Sequence, residues 1–116
     1  MTTISRLFLI FMALSCFSIT GYSEDNSSYH ADAIANGKFA DAEQGLLAIL
    51  AKDPNDPYAL LNLAYVYQQS GNATKAQQVY QKIIELKSNP YAELTSGKQE
   101  PVKNIARRGI SQLDAK

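Results

Sequence analysis

The chain has one cysteine, one histidine and no net charge. With Cys16 alone no disulfide can close within the chain, so stability has to come from packing. With His30 as the sole imidazole, a Cys-His or Ser-His pair would have to use it. The one thiol lies far upstream in an apolar segment, and no serine sits in a strained nucleophile turn. A metal site needs three or four convergent ligands, which one histidine and scattered carboxylates do not supply. Gly37-Lys38 and Gly71-Asn72 read as helix turns rather than phosphate loops, because no glycine-rich strand-to-helix element surrounds them. No catalytic residue, cofactor or metal is therefore expected. Nor is a clustered basic footprint present of the kind that nucleic acid or an anionic membrane demands. The local excess of Lys98, Lys103, Arg107, Arg108 and Lys116 over Glu100 and Asp114 reads as a solvated helix face that complements a helix C-terminal dipole.

The longest apolar run is also short of what a membrane span needs. Arg6 precedes a stretch from Leu7 to Ser23 that holds no ionisable acid or base. It is shorter than the roughly 20 residues that cross a bilayer comfortably as a helix. Charge first and grease second is the pattern of an export signal over residues 1–23. Gly21 and Ser23 place small residues where a signal peptidase would cut ahead of Glu24. Ala13-Leu14-Ser15-Cys16 offers a competing end, because it resembles a bacterial lipobox in which the cysteine is acylated and becomes the new N-terminus. It departs from that pattern in having the large Leu14 at a normally small position and Ala13 where leucine is usual. Soluble export to the periplasm, a lipid anchor on Cys16 and an uncleaved anchor are the three readings of this segment, and the first is preferred. Residues 24–116 would then form the folded domain.

What is abundant is repetition. Gly37, Ala42, Leu46, Ile49 and Leu50 recur 34 positions later as Gly71, Ala76, Tyr80, Ile83 and Ile84. A period of that length marks stacked helix pairs, each shielding the apolar side of its neighbour. Asp53-Pro54-Asn55-Asp56-Pro57 predicts a turn in which Asp56 caps a helix and Pro57 occupies its first position. Leu60, Leu63, Ala64 and Tyr67 then form one stripe at helical spacing. Gly71 suits a left-handed helix end and Asn72 an immediate cap for the next helix, whose stripe is Ala76, Val79, Tyr80, Ile83 and Ile84. The first unit has a short leading helix, about residues 27–36. Beyond Pro90 the echo of Pro57-Tyr58-Ala59 in Pro90-Tyr91-Ala92 is broken by Thr95-Ser96-Gly97. A last helix follows near Pro101, placed to cap the array with Val102, Ile105, Ala106, Gly109 and Ile110 inward.

Leu60, Leu63, Ala64, Tyr67, Gly71, Ala76, Tyr80 and Ile83 fall in register on the signature sites of the tetratricopeptide repeat family, which the chain resembles. Ser88 replaces the family's usual closing proline, and Pro90 comes two residues late. In the first unit Gly37, Phe39, Ala42, Leu46, Ile49 and Asp53-Pro54-Asn55 agree. There His30 stands where a small residue is usual, which predicts looser contact with the partner helix. The resemblance implies an all-α fold, a short right-handed superhelix of antiparallel helix pairs in a TPR-like α-solenoid with a C-terminal capping helix. Repeat one would span about 27–56, repeat two about 57–90 and the cap about 101–114.

It also implies a groove. Tyr58, Leu61, Tyr65, Gln68 and Gln69 share a second face of the helix starting at Pro57, on the side that is concave in this family, where they could hold a protein or peptide partner. The alternative is that they pack against the short first helix and the cap. Family members that clamp a terminal carboxylate use Lys and Arg, whereas the matching positions here are Leu61, Asn62, Tyr65 and Gln69. Only Asn62 agrees, so a less charged ligand is expected. The chain further resembles small lipoproteins of this family associated with tight-adherence (Flp-type) pilus assembly. That likeness implies an adaptor or assembly factor in a bacterial envelope machine. A self-associating periplasmic scaffold is the alternative reading.

Overall fold

A computed structural model describes residues 28–94 and 96–115 of the chain. The expected signal, both cleavage points and Cys16 lie outside the described residues. Among the described residues five α-helices follow one another: α1 (Ala31–Ala35), α2 (Phe39–Lys52), α3 (Pro57–Gln69), α4 (Ala73–Glu85) and α5 (Val102–Asp114). A two-stranded antiparallel hairpin, β1 (Tyr91–Glu93) and β2 (Gln99–Pro101), is inserted between α4 and α5. The architecture is the expected all-α helical repeat, with the hairpin as an addition.

Helix ends follow local chemistry. The Asp56 carboxylate accepts the backbone N–H groups of Tyr58 and Ala59 at 3.0 and 3.2 Å, and Pro57 occupies the first turn, where its missing N–H costs nothing. Gly71 has φ +85° and lets the Asn72 N–H reach back to the Tyr67 carbonyl at 2.8 Å. The same bond, Lys38 N–H to the Ala33 carbonyl at 2.8 Å, closes α1 around Gly37 at φ +74°. Asn72 then caps α4 by accepting from Lys75 N–H. Both helix pairs thus turn by one device.

The core is the set of stripes read from the periodicity. Ala42 and Leu46 of α2 are buried together with Leu60, Leu63, Ala64 and Tyr67 of α3, Ala76, Tyr80 and Ile83 of α4, and Val102 and Ala106 of α5. Burial of each large member contributes about 1.5–3 kcal/mol before cavity effects. Ala59 and Val66 are buried as well, because α3 packs on α2 and α4 and also reaches α5. Helix α5 stands to α4 as α3 stands to α2, so it covers the end of the array. Its N-terminus has no cap of its own, since Pro101 precedes the helix rather than occupying its first turn as expected. Asn89 supplies the cap from the preceding loop, its side-chain oxygen accepting Lys103 N–H at 3.1 Å, while Val102 N–H donates to the Pro90 carbonyl at 2.8 Å. The Lys103 ammonium in return donates to the carbonyl of Leu86, just past the end of α4.

Three local expectations are corrected. The leading helix is shorter than 27–36, because Tyr29 and His30 both adopt left-handed backbone (φ 63° and 57°) and confine α1 to five residues after a 3-10 turn at Ser28–His30. Such residues cost about 1–3 kcal/mol each unless held by their surroundings. Here Asn62 donates to the Tyr29 carbonyl at 3.0 Å and the Tyr29 hydroxyl donates to Asp56 at 3.0 Å. The contact at His30 is not loose either: a Cβ on Gly45 would lie 2.2 Å from the imidazole, so the ring rests directly on the α2 backbone. Finally, the broken third unit is not merely a shortened helix. Gly97 at φ +87° turns the chain, Leu94 N–H bonds to the Lys98 carbonyl at 2.8 Å, and Ala92 pairs with Glu100 in the hairpin.

Candidate tyrosine-lined groove

Tyrosines from four elements converge on one concavity. Tyr58 and Tyr65 project from α3 with Leu61 and Asn62 between them, Tyr29 precedes α1, Tyr80 comes from α4 and Tyr91 from β1. Together with Ile34, Ile105, Glu93 and Leu94 they line a groove of about 990 Å³ whose floor is α3 and whose two walls are α1 and the hairpin. That volume lies at the upper end of the range for small-ligand clefts.

The rings are held rather than loose. The Tyr29 and Tyr58 rings stand 5.7 Å apart at 55°, a tilted aromatic contact. The Tyr58 hydroxyl donates to the Tyr91 carbonyl at 3.0 Å, which ties α3 to β1 and joins the two tyrosines of the repeated Pro-Tyr-Ala motif. The Tyr80 hydroxyl donates to Gln68 Oε1 at 2.8 Å. Burial pushes the Tyr80 hydroxyl up to about 12, and Tyr29 is raised by burial first and by its bond to Asp56 second. On the neighbouring strand, Glu100 is held below the usual carboxylate range by its hydrogen bond from Arg108 at 2.7 Å, which fastens β2 to α5.

Of the five residues anticipated for this face, the structure brings three together. Tyr58, Leu61 and Tyr65 line the groove, and Tyr65 is 44% exposed. Gln68 turns away from it, accepting from Tyr80 and donating to Gln112 of α5 at 3.4 Å, so its amide locks helices together. Gln69 is exposed and outside the groove. Asn62, the single agreement with a carboxylate clamp, spends its amide on the Tyr29 carbonyl. Tyr29, Tyr80, Ile105 and the hairpin were not foreseen; the repeated Pro-Tyr-Ala motif was the one signal that pointed to Tyr91. Among the described residues no group of three or more His, Cys, Asp and Glu is placed to hold a metal ion, and no helix is long and apolar enough to cross a membrane.

The family model for the tetratricopeptide repeat aligns with residues 33–96, more than half of the chain. The chain belongs to the tetratricopeptide repeat family. Repeats of this family mediate protein–protein interaction, and they bind protein or peptide partners. No curated protein and no solved structure matches the chain. In this tetratricopeptide protein the matched span runs from α1 through β1 to the hairpin turn, so it contains α3 and most of the groove.

Proposed function

We propose that the protein is an exported adaptor or assembly factor that holds a peptide segment of its partner in the tyrosine-lined groove and has no chemistry of its own. The observation that carries this reading is the exposure of Tyr65 on the groove floor between two structured walls. A large ring left open in a concavity is a contact site more often than an accident of packing. Support for export is the charged-then-apolar segment before Glu24, and the setting in a bacterial envelope machine such as a pilus or secretion apparatus follows from the sequence likeness described above. Cys16 is the residue at which a lipid would tether the protein to the membrane.

The test is a photo-crosslinking side chain placed at Tyr65 in the full chain, expressed in its native cell. One discrete adduct with a different protein, formed by a monomer in light scattering, is the expected result. An adduct with itself alone, and a mass that rises with concentration, would replace the adaptor by the self-associating scaffold. Intact mass of the exported protein reads the N-terminus: Glu24 for soluble export, acylated Cys16 for a lipoprotein.

A further inference from the structure

The groove is aromatic and carries charge of one sign. Among the described residues lining it there is no Lys, Arg or His, and Glu93 is the one carboxylate. The neighbouring acid Glu100 is already matched by Arg108, whereas Glu93 makes no salt bridge to the described residues. Glu93 lies two positions after Tyr91 on β1, and alternation along a strand puts both side chains on the same face. Both are exposed. Across the groove Tyr65 presents a second open ring, and its hydroxyl, like that of Tyr91, has no hydrogen-bond partner among the described residues.

An open ring and a carboxylate unmatched among the described residues share one face of β1, and a second open ring looks at them from across the groove; these are the elements of a receptor for a cation. The ring faces attract it through their quadrupoles, and the carboxylate supplies the opposite charge. Leu61, Ile34, Leu94 and Ile105 make most of the remaining lining apolar, with Asn62, Ser96 and Gln99 as its uncharged polar members. Three of the five ring hydroxyls already donate within the protein, so what those groups still offer is ring surface and acceptor oxygens, which suits a donor cation. Resting on the peptide-groove reading above, we infer that the groove selects a segment in which a lysine or arginine stands among apolar residues, with the cation against Glu93, Tyr65 and Tyr91. Acidic segments and free C-terminal carboxylates are rejected, because nothing in the lining would neutralise them.

Short peptides of proline and leucine, acetylated and amidated so that their ends carry no charge, test this against the full chain by calorimetry. The central residue is lysine, norleucine or glutamate. The lysine peptide should bind roughly fivefold tighter than the norleucine peptide, the size expected of an exposed ion pair with a cation–ring contact. The glutamate peptide should bind weakest. Glu93→Gln should remove the ion-pair share of the lysine preference, reducing it to the roughly twofold that a cation–ring contact alone supports, and added salt should shrink the preference in the wild type. Equal affinity for the three peptides, or a lysine preference undiminished in Glu93→Gln, overturns the cation selectivity and leaves the groove standing, provided that Tyr65→Ala still removes binding. Failure of all three peptides to bind overturns the peptide groove itself.

Discussion

The two helix pairs follow the same turn chemistry but fill their seams in opposite ways. In the second pair Ala64 of α3 is small and fully buried, and Val79 of α4 is a medium-sized residue packed against the core. At the matching positions of the first pair the small residue has become His30 and the valine has become Gly45, whose backbone carries the imidazole directly. Bulk removed from one side is returned on the other. The family requirement for a small side chain thus applies to the pair rather than to the position, because what packing fixes is the volume between two backbones. The same device recurs at the far end, where a Cβ on Gly109 of α5 would lie 2.4 Å from the Tyr80 ring. The two ring-on-glycine contacts differ in one respect. Tyr80 is buried with its hydroxyl fastened to Gln68, whereas His30 is partly exposed and its ring makes no side-chain hydrogen bond among the described residues.

That difference orders the expected effects. Gly109→Ala should be the most damaging, about 1–3 kcal/mol by chemical denaturation, because any movement of the buried Tyr80 ring also breaks its bond to Gln68. The helix propensity gained, up to about 1 kcal/mol, will not offset it. Gly45→Val should cost less, about 1 kcal/mol, with the loss centred on α1, and adding His30→Ala should recover most of it by recreating the Ala64 and Val79 combination. Additive single effects in that double-mutant cycle would break the exchange of bulk proposed for the seam. Asn89→Ala removes the borrowed cap of α5 and should lower stability by about 0.5–1 kcal/mol, in the range of ordinary cap deletions. Tyr65→Ala should change stability by no more than about 0.5 kcal/mol and yet abolish partner capture; a loss of stability comparable to that of Gly109→Ala would make Tyr65 part of the core.

A pH titration sharpens the same contrast between the ends. The Tyr80 hydroxyl is raised in the folded state to about 12, above its ordinary value of about 10. Its contribution is therefore complete below the unfolded value and is lost as pH rises from there through the folded one. The α4 and α5 end should loosen in alkali, and Tyr80→Phe should remove that component of the dependence while giving up the bond to Gln68. Thermal melts across that window check it.

Legibility followed the range of the interaction. Asp56, Pro57, Gly71 and Asn72 act within a few residues of themselves, and each adopts the role its chemistry implies. The buried stripes of α2 to α5 are read from spacing alone. The left-handed pair Tyr29 and His30 was not legible, because it is sustained by Asn62 and Asp56 from more than twenty positions away. The Asn89 cap was hidden for the same reason, since it serves a helix from the previous loop. Half of the groove was missed because the hairpin is held by α5 and by Tyr58, and three-residue strands are too short to announce themselves.

Sequence by itself determined that this protein is a stack of α-hairpins covered at its C-terminal end by a last helix, since capping residues and helical periodicity act locally and repeat. Tertiary structure alone decided what faces the groove: it turned Gln68 away toward Tyr80 and Gln112, raised the hairpin as a wall, and set Glu93 on the same side of that wall as the open Tyr91 ring. Those outcomes depend on which distant backbones come into contact, and no local pattern encodes the volume left between them.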